Sequence, residues 1–322
     1  MARGLTSLNL NHLLPLVDFQ KGGMSPRSSK LGRVLYVDSV NGLGANNGTI
    51  DDPISTLVLA LAKLSSTADG HLNRDDTIVL LPGHTESIDS ATELNISRTG
   101  VKIIGVGRGT RQPKLTVSTA NTSTITVSAA NVLIQNVHIQ ANFANIAALI
   151  TVSATDLHLD QVRVSEASGS LDWVKVITPS ANTDNLIDGL TLTNCTIIGA
   201  TTDNDEIIET SGSIDRLTVA NCYLAAGVAT GEPIIGAATG KVFTHMLVVD
   251  NYFYRLNTTN TTAIAINSDG TCSGIIANNC IGHADTAGAI PITAAGARMF
   301  RNFSASTDAV QDLLLPVADD NT

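Results

Sequence analysis

Three residues with the chemistry to act on a sugar or hold a cation fall at related places in the chain. Asp188 and Asp215 each precede an asparagine, Asn194 and Asn221, by six residues, and His245 precedes Asn251 by six; Glu206 and Glu209 lie between the first two. If a repeating fold sets those asparagines one above another, the residues ahead of them stack about 5 Å apart, the spacing of hydrogen-bonded strands. Carboxylates at that separation could serve as acid and nucleophile at a glycosidic bond, or ligate calcium. The candidates for such a role are Asp188, Asp215 and Glu209. Polar decoration of a turn accounts for the same residues, since Arg216 is the one cation that accompanies them. Asp203 and Asp205, in TTDNDE, fit a solvated loop. His138 and His158 stand apart from any Ser/His/Asp arrangement, and GVGRG at 105–109 has no helix after it and is turn chemistry. We therefore assign no catalytic residue and expect neither a metal nor a cofactor.

Aromatic residues also weigh against a sugar-cleaving groove: the 322 residues hold one Trp, 4 Tyr and 6 Phe. Two residues after successive asparagines come Thr196, Tyr223, Phe253, Ile281 and Ser304, which this spacing places outward, with Tyr252 and Tyr254 inward. Tyr223, Phe253 and Ile281 would then form an exposed apolar stripe. Such a stripe could be a carbohydrate platform, but the packing of identical subunits is the more natural use.

The repeat behind these alignments runs from residue 101 to 305. Its template is apolar, any, apolar, any, then Asn, Gln or Gly, then apolar again. It centres on Gly105, Asn136, Gln161, Asn194, Asn221, Asn251, Asn279 and Asn302, at spacings of 31, 25, 33, 27, 30, 28 and 23 residues. An irregular period suits a solenoid of short strands whose loops vary in length. Before Asn194 the apolar phase falls on Leu190 and Leu192, and after it on Cys195 and Ile197, so the inward phase slips by one and the strand must bend there. Asparagine tolerates the left-handed backbone of such a corner, and its amide can bond the next coil. Asn136, Gln161, Asn194, Asn221, Asn251, Asn279 and Asn302 are expected to form one polar ladder inside an aliphatic core. A third apolar segment recurs in each coil, as in ITV (125–127), LITV (149–152), WVKVI (173–177) and PIIG (233–236). Three short strands per turn with a bent pair predict a parallel β-helix.

Ahead of the repeat, RVLYV reads as a strand, DSVNGLGANNGTIDDP as a turn-rich loop, ISTLVLALAKL (54–64) as an apolar helix and TIVLLPGHTES as strand again. A hydrophobic helix there would plug the first coil, which otherwise exposes core side chains and unpaired backbone. This order, YVD, NNGT, DDP-IST, helix, D-TIVLLPG, resembles the N-terminal cap of right-handed parallel β-helix proteins of the pectin-lyase-like superfamily. The resemblance covers residues 33–303. It implies an all-β, single-stranded right-handed helix of about eight coils with an N-terminal capping helix, and association as a homotrimer. It implies no single activity, because that superfamily includes polysaccharide lyases, glycosidases, phage tailspikes and non-catalytic virion proteins.

Composition fits a stack of coils: 43% of residues are hydrophobic and 15% charged, which excludes disorder and coiled coil, and no apolar run is long enough to span a membrane. The four cysteines, Cys195, Cys222, Cys272 and Cys280, include no Cys-x-x-Cys pair, and three share one repeat position, where they read as small buried side chains. Charge is uneven. Residues 1–33 carry five cations against Asp18, a net +4 within a total of −10, so a basic arm precedes an acidic body that phosphates would repel. The first residues are leucine-rich but broken by Asn9, Asn11, His12 and Pro15, so no secretory signal is expected.

These observations predict a docking arm over 1–32, a β-helix over 33–303 with its cap at 33–82, and a C-terminal lid and tail over 304–322. The arm would use Arg3, Leu5, Leu8, Leu13, Leu14, Lys21 and Arg27 to grip the major capsid protein or another virion protein. The expected function is a non-enzymatic phage capsid decoration protein, assembled in the host cytoplasm and located in the virion. The alternative is a tailspike or fibre adhesin that binds or cleaves a cell-surface glycan. Neither nucleic acid nor membrane is an expected partner.

Overall fold

The computed structural model describes residues 32–65, 75–199, 206–227, 233–255, 265–268, 270–283, 292–306 and 312–314. The docking-arm residues and the loop aspartates Asp203 and Asp205 lie outside them.

Short β-branched segments stack in register and build three parallel sheets. Sheet one has ten strands from Val34–Val37 to Arg298–Phe300, and sheet three has eight, from Leu94–Ile96 to Ile292–Thr293. Sheet two has ten, from Thr85–Ile88 to Asn302–Ser306, with Asp312–Leu314 closing it in antiparallel pairing. The chain visits sheets one, two and three in turn, giving eight three-strand coils and about seven turns from the first to the last. The fold is a parallel β-helix. One inward file on sheet one reads Leu159, Leu192, Val219, Val248 and Ile276, all buried.

The cap follows the sequence reading. Helix α1 (Leu57–Ser65) buries Leu57, Ala60, Leu61 and Leu64 against the first coil. Burying each leucine removes apolar surface worth about 2 kcal/mol. The free N–H groups at its start are taken by one carboxylate: Leu57 N donates to Glu86 Oε2 at 2.6 Å and Val58 N to Glu86 Oε1 at 3.2 Å. At its end the Leu64 carbonyl accepts from Arg33 Nη2 at 2.9 Å and from the Arg98 guanidinium, whose Nε lies 3.1 Å from the buried Asp76 carboxylate.

Two left-handed corners turn the coil. Between sheets one and two, Asn136, Gln161, Asn194, Asn221, Asp250, Asn278 and Arg301 all have φ between 53° and 58°. Between sheets three and one, Asn131, Asp156, Gly189, Arg216 and His245 take the same role, with φ from 49° to 72°. Asparagine, aspartate and glycine populate this region most readily, so Gln161, Arg216 and Arg301 are held there by their neighbours.

The single ladder expected from the asparagines divides in two. Asn136, Gln161, Asn194 and Asn221 are corner residues whose side chains lie at the surface, and in the later coils their equivalents are Asp250, Asn278 and Arg301. Asn251, Asn279 and Asn302 stand one residue further on, in the file of Cys195 and Cys222, and are buried. Asn251 Nδ2 donates to Asn279 Oδ1 at 3.0 Å, and Asn279 Nδ2 to Asn302 Oδ1 at 2.9 Å. Each amide nitrogen also bonds a backbone carbonyl, Val219, Val248 or Ile276. Asparagine serves the corner at 136, 194 and 221 and the interior at 251, 279 and 302, two roles that one residue type fits.

A substitution pair separates the two roles. Asn279→Ala removes the acceptor of the Asn251 backbone N–H and side-chain amide and the donor to the Val248 carbonyl and Asn302 Oδ1, so we expect a loss of about 3 kcal/mol in a urea titration. Asn221→Gly, at a corner glycine tolerates, should cost less than about 1 kcal/mol. The reverse order would contradict the assignment.

Candidate functional site

Of the acidic candidates, Asp188 and Asp215 lie beside the corner between sheets three and one, and each carboxylate has a partner on a neighbouring coil. Asp188 Oδ1 accepts the backbone N–H of Asp215 at 2.8 Å, as Asp184 Oδ1 accepts that of Ser213 at 2.7 Å. Asp215 Oδ1 meets His245 Nδ1 at 2.6 Å and accepts from Thr244 Oγ1 at 2.8 Å, while its Oδ2 accepts from Arg216 Nε at 3.3 Å. His245 and then Thr244 hold the Asp215 carboxyl below the usual range, so at neutral pH it carries no proton to donate. Glu209 stands on sheet three, 3.1 Å from Lys175 Nζ and accepting from Thr178 Oγ1 at 2.8 Å. These carboxylates tie coil to coil. The expected file of Asp188, Asp215 and His245 also shifts: the third member is Thr244, and His245 is the corner residue that reaches back to Asp215.

A second polar network forms on sheet one. Asp160 accepts from Gln135 Nε2 at 2.7 Å, Thr193 Oγ1 at 2.8 Å and Asn194 Nδ2 at 2.8 Å. Burial raises the Asp160 carboxyl, and the donors Asn194, Thr193 and Gln135 outweigh it and hold the group low. A saturated carboxylate of this kind fixes the corner and is closed to substrate. Among the described residues no group of three His, Cys, Asp or Glu is placed to hold a metal ion.

The aromatic residues give a different stripe from the one expected. Tyr223 is 40% exposed, but Phe253 and Ile281 are fully buried, because the register pairs Tyr223 with Tyr252 and Leu224 with Phe253 and Ile281. Tyr252, expected inward, is 36% exposed. Its ring lies 5.1 Å from that of Tyr223 with 7° between planes, and 6.3 Å from Tyr254 at 8°. Cys280 follows Tyr252 in this outward file and is half-buried, unlike Cys195 and Cys222. The displaced residue is again the asparagine of DNY, one place past its corner. Phe303 extends the column at 55% exposure, and Leu247, Ile275 and Phe300 stand exposed on the adjoining face of sheet one. Large apolar side chains thus flank the corner row Asp250, Asn278 and Arg301 in the C-terminal half. Between Tyr223, Tyr252 and the corner residues Asn221, Asp250 and Asn278 lies a shallow depression of about 520 Å³.

No family model matches the chain, and no curated protein matches it. Among solved structures it resembles a rhamnogalacturonan lyase, with a TM-score of 0.45 and 12% identity over 84% of this chain and 87% of that one. It also resembles the GH136 lacto-N-biosidase of Eubacterium ramulus, with a TM-score of 0.42 and 11% identity over 85% of this chain and 64% of that one. A third is ORF18 of Geobacillus virus E2, with a TM-score of 0.41 and 12% identity over 86% of this chain and 62% of that one. The likeness is one of fold.

The sidedness of the stripe is directly testable. Phe253→Ala should cost about 4 kcal/mol, as for a buried phenylalanine, whereas Tyr252→Ser should leave the melting temperature within a few degrees. Equal losses in thermal denaturation would mean that the register is misplaced.

Proposed function

We propose that this chain is a non-catalytic structural protein of a bacteriophage virion, a decoration subunit that packs with two further copies and is held on the particle by residues 1–32. The observation that carries this reading is the exposed apolar ridge of the C-terminal half: Tyr223, Leu247, Tyr252, Ile275, Phe300 and Phe303. Large apolar side chains gathered on two adjoining faces of a solenoid lose less to water when another surface covers them. A ridge of repeating coils suits a second copy with the same repeat, because the rise per coil matches. The non-catalytic part is supported by the engagement of Asp188, Asp215 and Glu209 with backbone, histidine, lysine and arginine. The virion part rests on the resemblance carried by the cap and the repeat, together with the basic, leucine-bearing segment that precedes them.

A glycan-binding tailspike or fibre adhesin is the second reading, and the tyrosine column favours it. Rings stacked face to face present edges and hydroxyls outward, however, whereas a sugar platform presents a ring face.

Truncation decides the arm's role. Removing residues 1–32 should abolish attachment to the particle while light scattering still reports the mass of the full-length oligomer; undiminished attachment would remove the arm from the account. Incubation with envelope polysaccharide of a host should release no oligosaccharide, and a release lost in Asp215→Ala would replace this reading with an enzymatic one.

A further inference from the structure

The outward file of sheet two that runs from Thr85 to Phe303 holds no carboxylate, in a chain with 29 acidic residues against 19 lysines and arginines. Two glutamates stand on its described strands, Glu86 and Glu166, and both share register with inward residues, Leu115 and Ala141. Glu86 is further committed to the N-terminus of α1. In the N-terminal half the outward file instead stacks three bases on consecutive coils, Lys114, His138 and Arg163.

The side-chain partners of Lys114 and His138 are neutral. Lys114 Nζ donates to the Gln140 side-chain oxygen at 3.2 Å, and His138 Nε2 lies 2.8 Å from Ser165 Oγ. Among the described residues no carboxylate pairs with Lys114 or with the exposed Arg163. Burial, then the neighbouring Arg163 and Lys114, push the His138 imidazole down to about 4. Lys114 and Arg163 therefore carry the charge of the column, with an uncharged imidazole between them. Beside Lys114 the sheet is hollowed into a depression of about 440 Å³, lined by Thr85, Ser87, Thr116, Gln140 and Asn142, with Glu86 completing the wall.

We propose that this column is a binding site for a phosphate- or carboxylate-bearing ligand, with Lys114 and Arg163 closing on the oxyanion above His138. Lys114 and Arg163 stand two coils apart, about 10 Å along the axis, a span that two long side chains close from opposite ends. The guanidinium presents two parallel N–H groups to two oxygens, and the ammonium supplies a point charge. The hydroxyls and amides of the adjoining depression would receive the uncharged part of the ligand. This site is separate from the apolar ridge, which occupies the other half of the molecule.

Calorimetric titration of the full chain with tripolyphosphate, and separately with citrate, tests the site. We expect saturable binding of at least one at low salt, weakened about tenfold by Lys114→Gln and by Arg163→Gln, as for loss of one charge-assisted contact. Lys102→Gln, on sheet one, should leave it unchanged. Binding of tripolyphosphate alone identifies a phosphate ligand, of citrate alone a carboxylate, and of both a site selecting charge. As a readout independent of ligand, Arg163→Gln should raise the His138 pKa seen by NMR. No saturable binding of either anion, or binding that survives both substitutions, overturns the proposal.

Discussion

Everything in this molecule depends on parallel strands that stay in register from coil to coil while the chain turns through a left-handed corner. The corner consumes one residue with positive φ and reverses which side chains face inward. Once its position is fixed in one coil, hydrogen bonding to the next coil fixes it there as well, at φ near 55° in seven successive coils. Residues unsuited to that conformation, such as Gln161 and Arg301, adopt it because the stack leaves no alternative. The inner ladders, the outer columns and the position of every candidate site follow from this one constraint.

Its effect on chemistry is to convert polar residues into ties. Asp188, Asp215 and Asp160 would look like catalytic groups if read as isolated acids near a turn. In the stack each accepts a hydrogen bond from the coil beside it and becomes a structural acceptor. What the constraint leaves open is the outer face of each sheet, where side chains recur at every coil and build columns. Sheet two uses that freedom unevenly, bases toward the cap and aromatics toward the far end, so its two halves suit different contacts.

Much of this was legible in the sequence. The strands, a capping helix read at 54–64 and found at 57–65, and the third segment of each coil follow from apolar spacing and turn residues, because alternation and glycine or asparagine punctuation are local signals. Sidedness in the later coils was not legible from the same template. Asparagine fits the left-handed corner by its backbone and the interior ladder by its amide, and the letter does not distinguish them. The pair Asn278–Asn279 held the clue, since one asparagine turns the chain and the next points inward. The run Tyr252, Phe253, Tyr254 offered no contrast of polarity to correct the phase. Carboxylates that stack one per coil were visible as a pattern, whereas their engagement by backbone N–H groups of the neighbouring coil depends on long-range register.

The central claim is that register divides the surface of sheet two into sides that face water and sides that face the core, and that the apolar ridge is covered on assembly. Hydroxyl-radical footprinting with mass spectrometry, on dilute and on assembled protein, measures this residue by residue. The account predicts oxidation of Tyr223, Tyr252 and Phe303 in the dilute state, protection of all three on assembly, and no labelling of Phe253 in either. Labelling of Phe253 in the dilute folded protein, or ridge residues equally oxidised in both states, would contradict it.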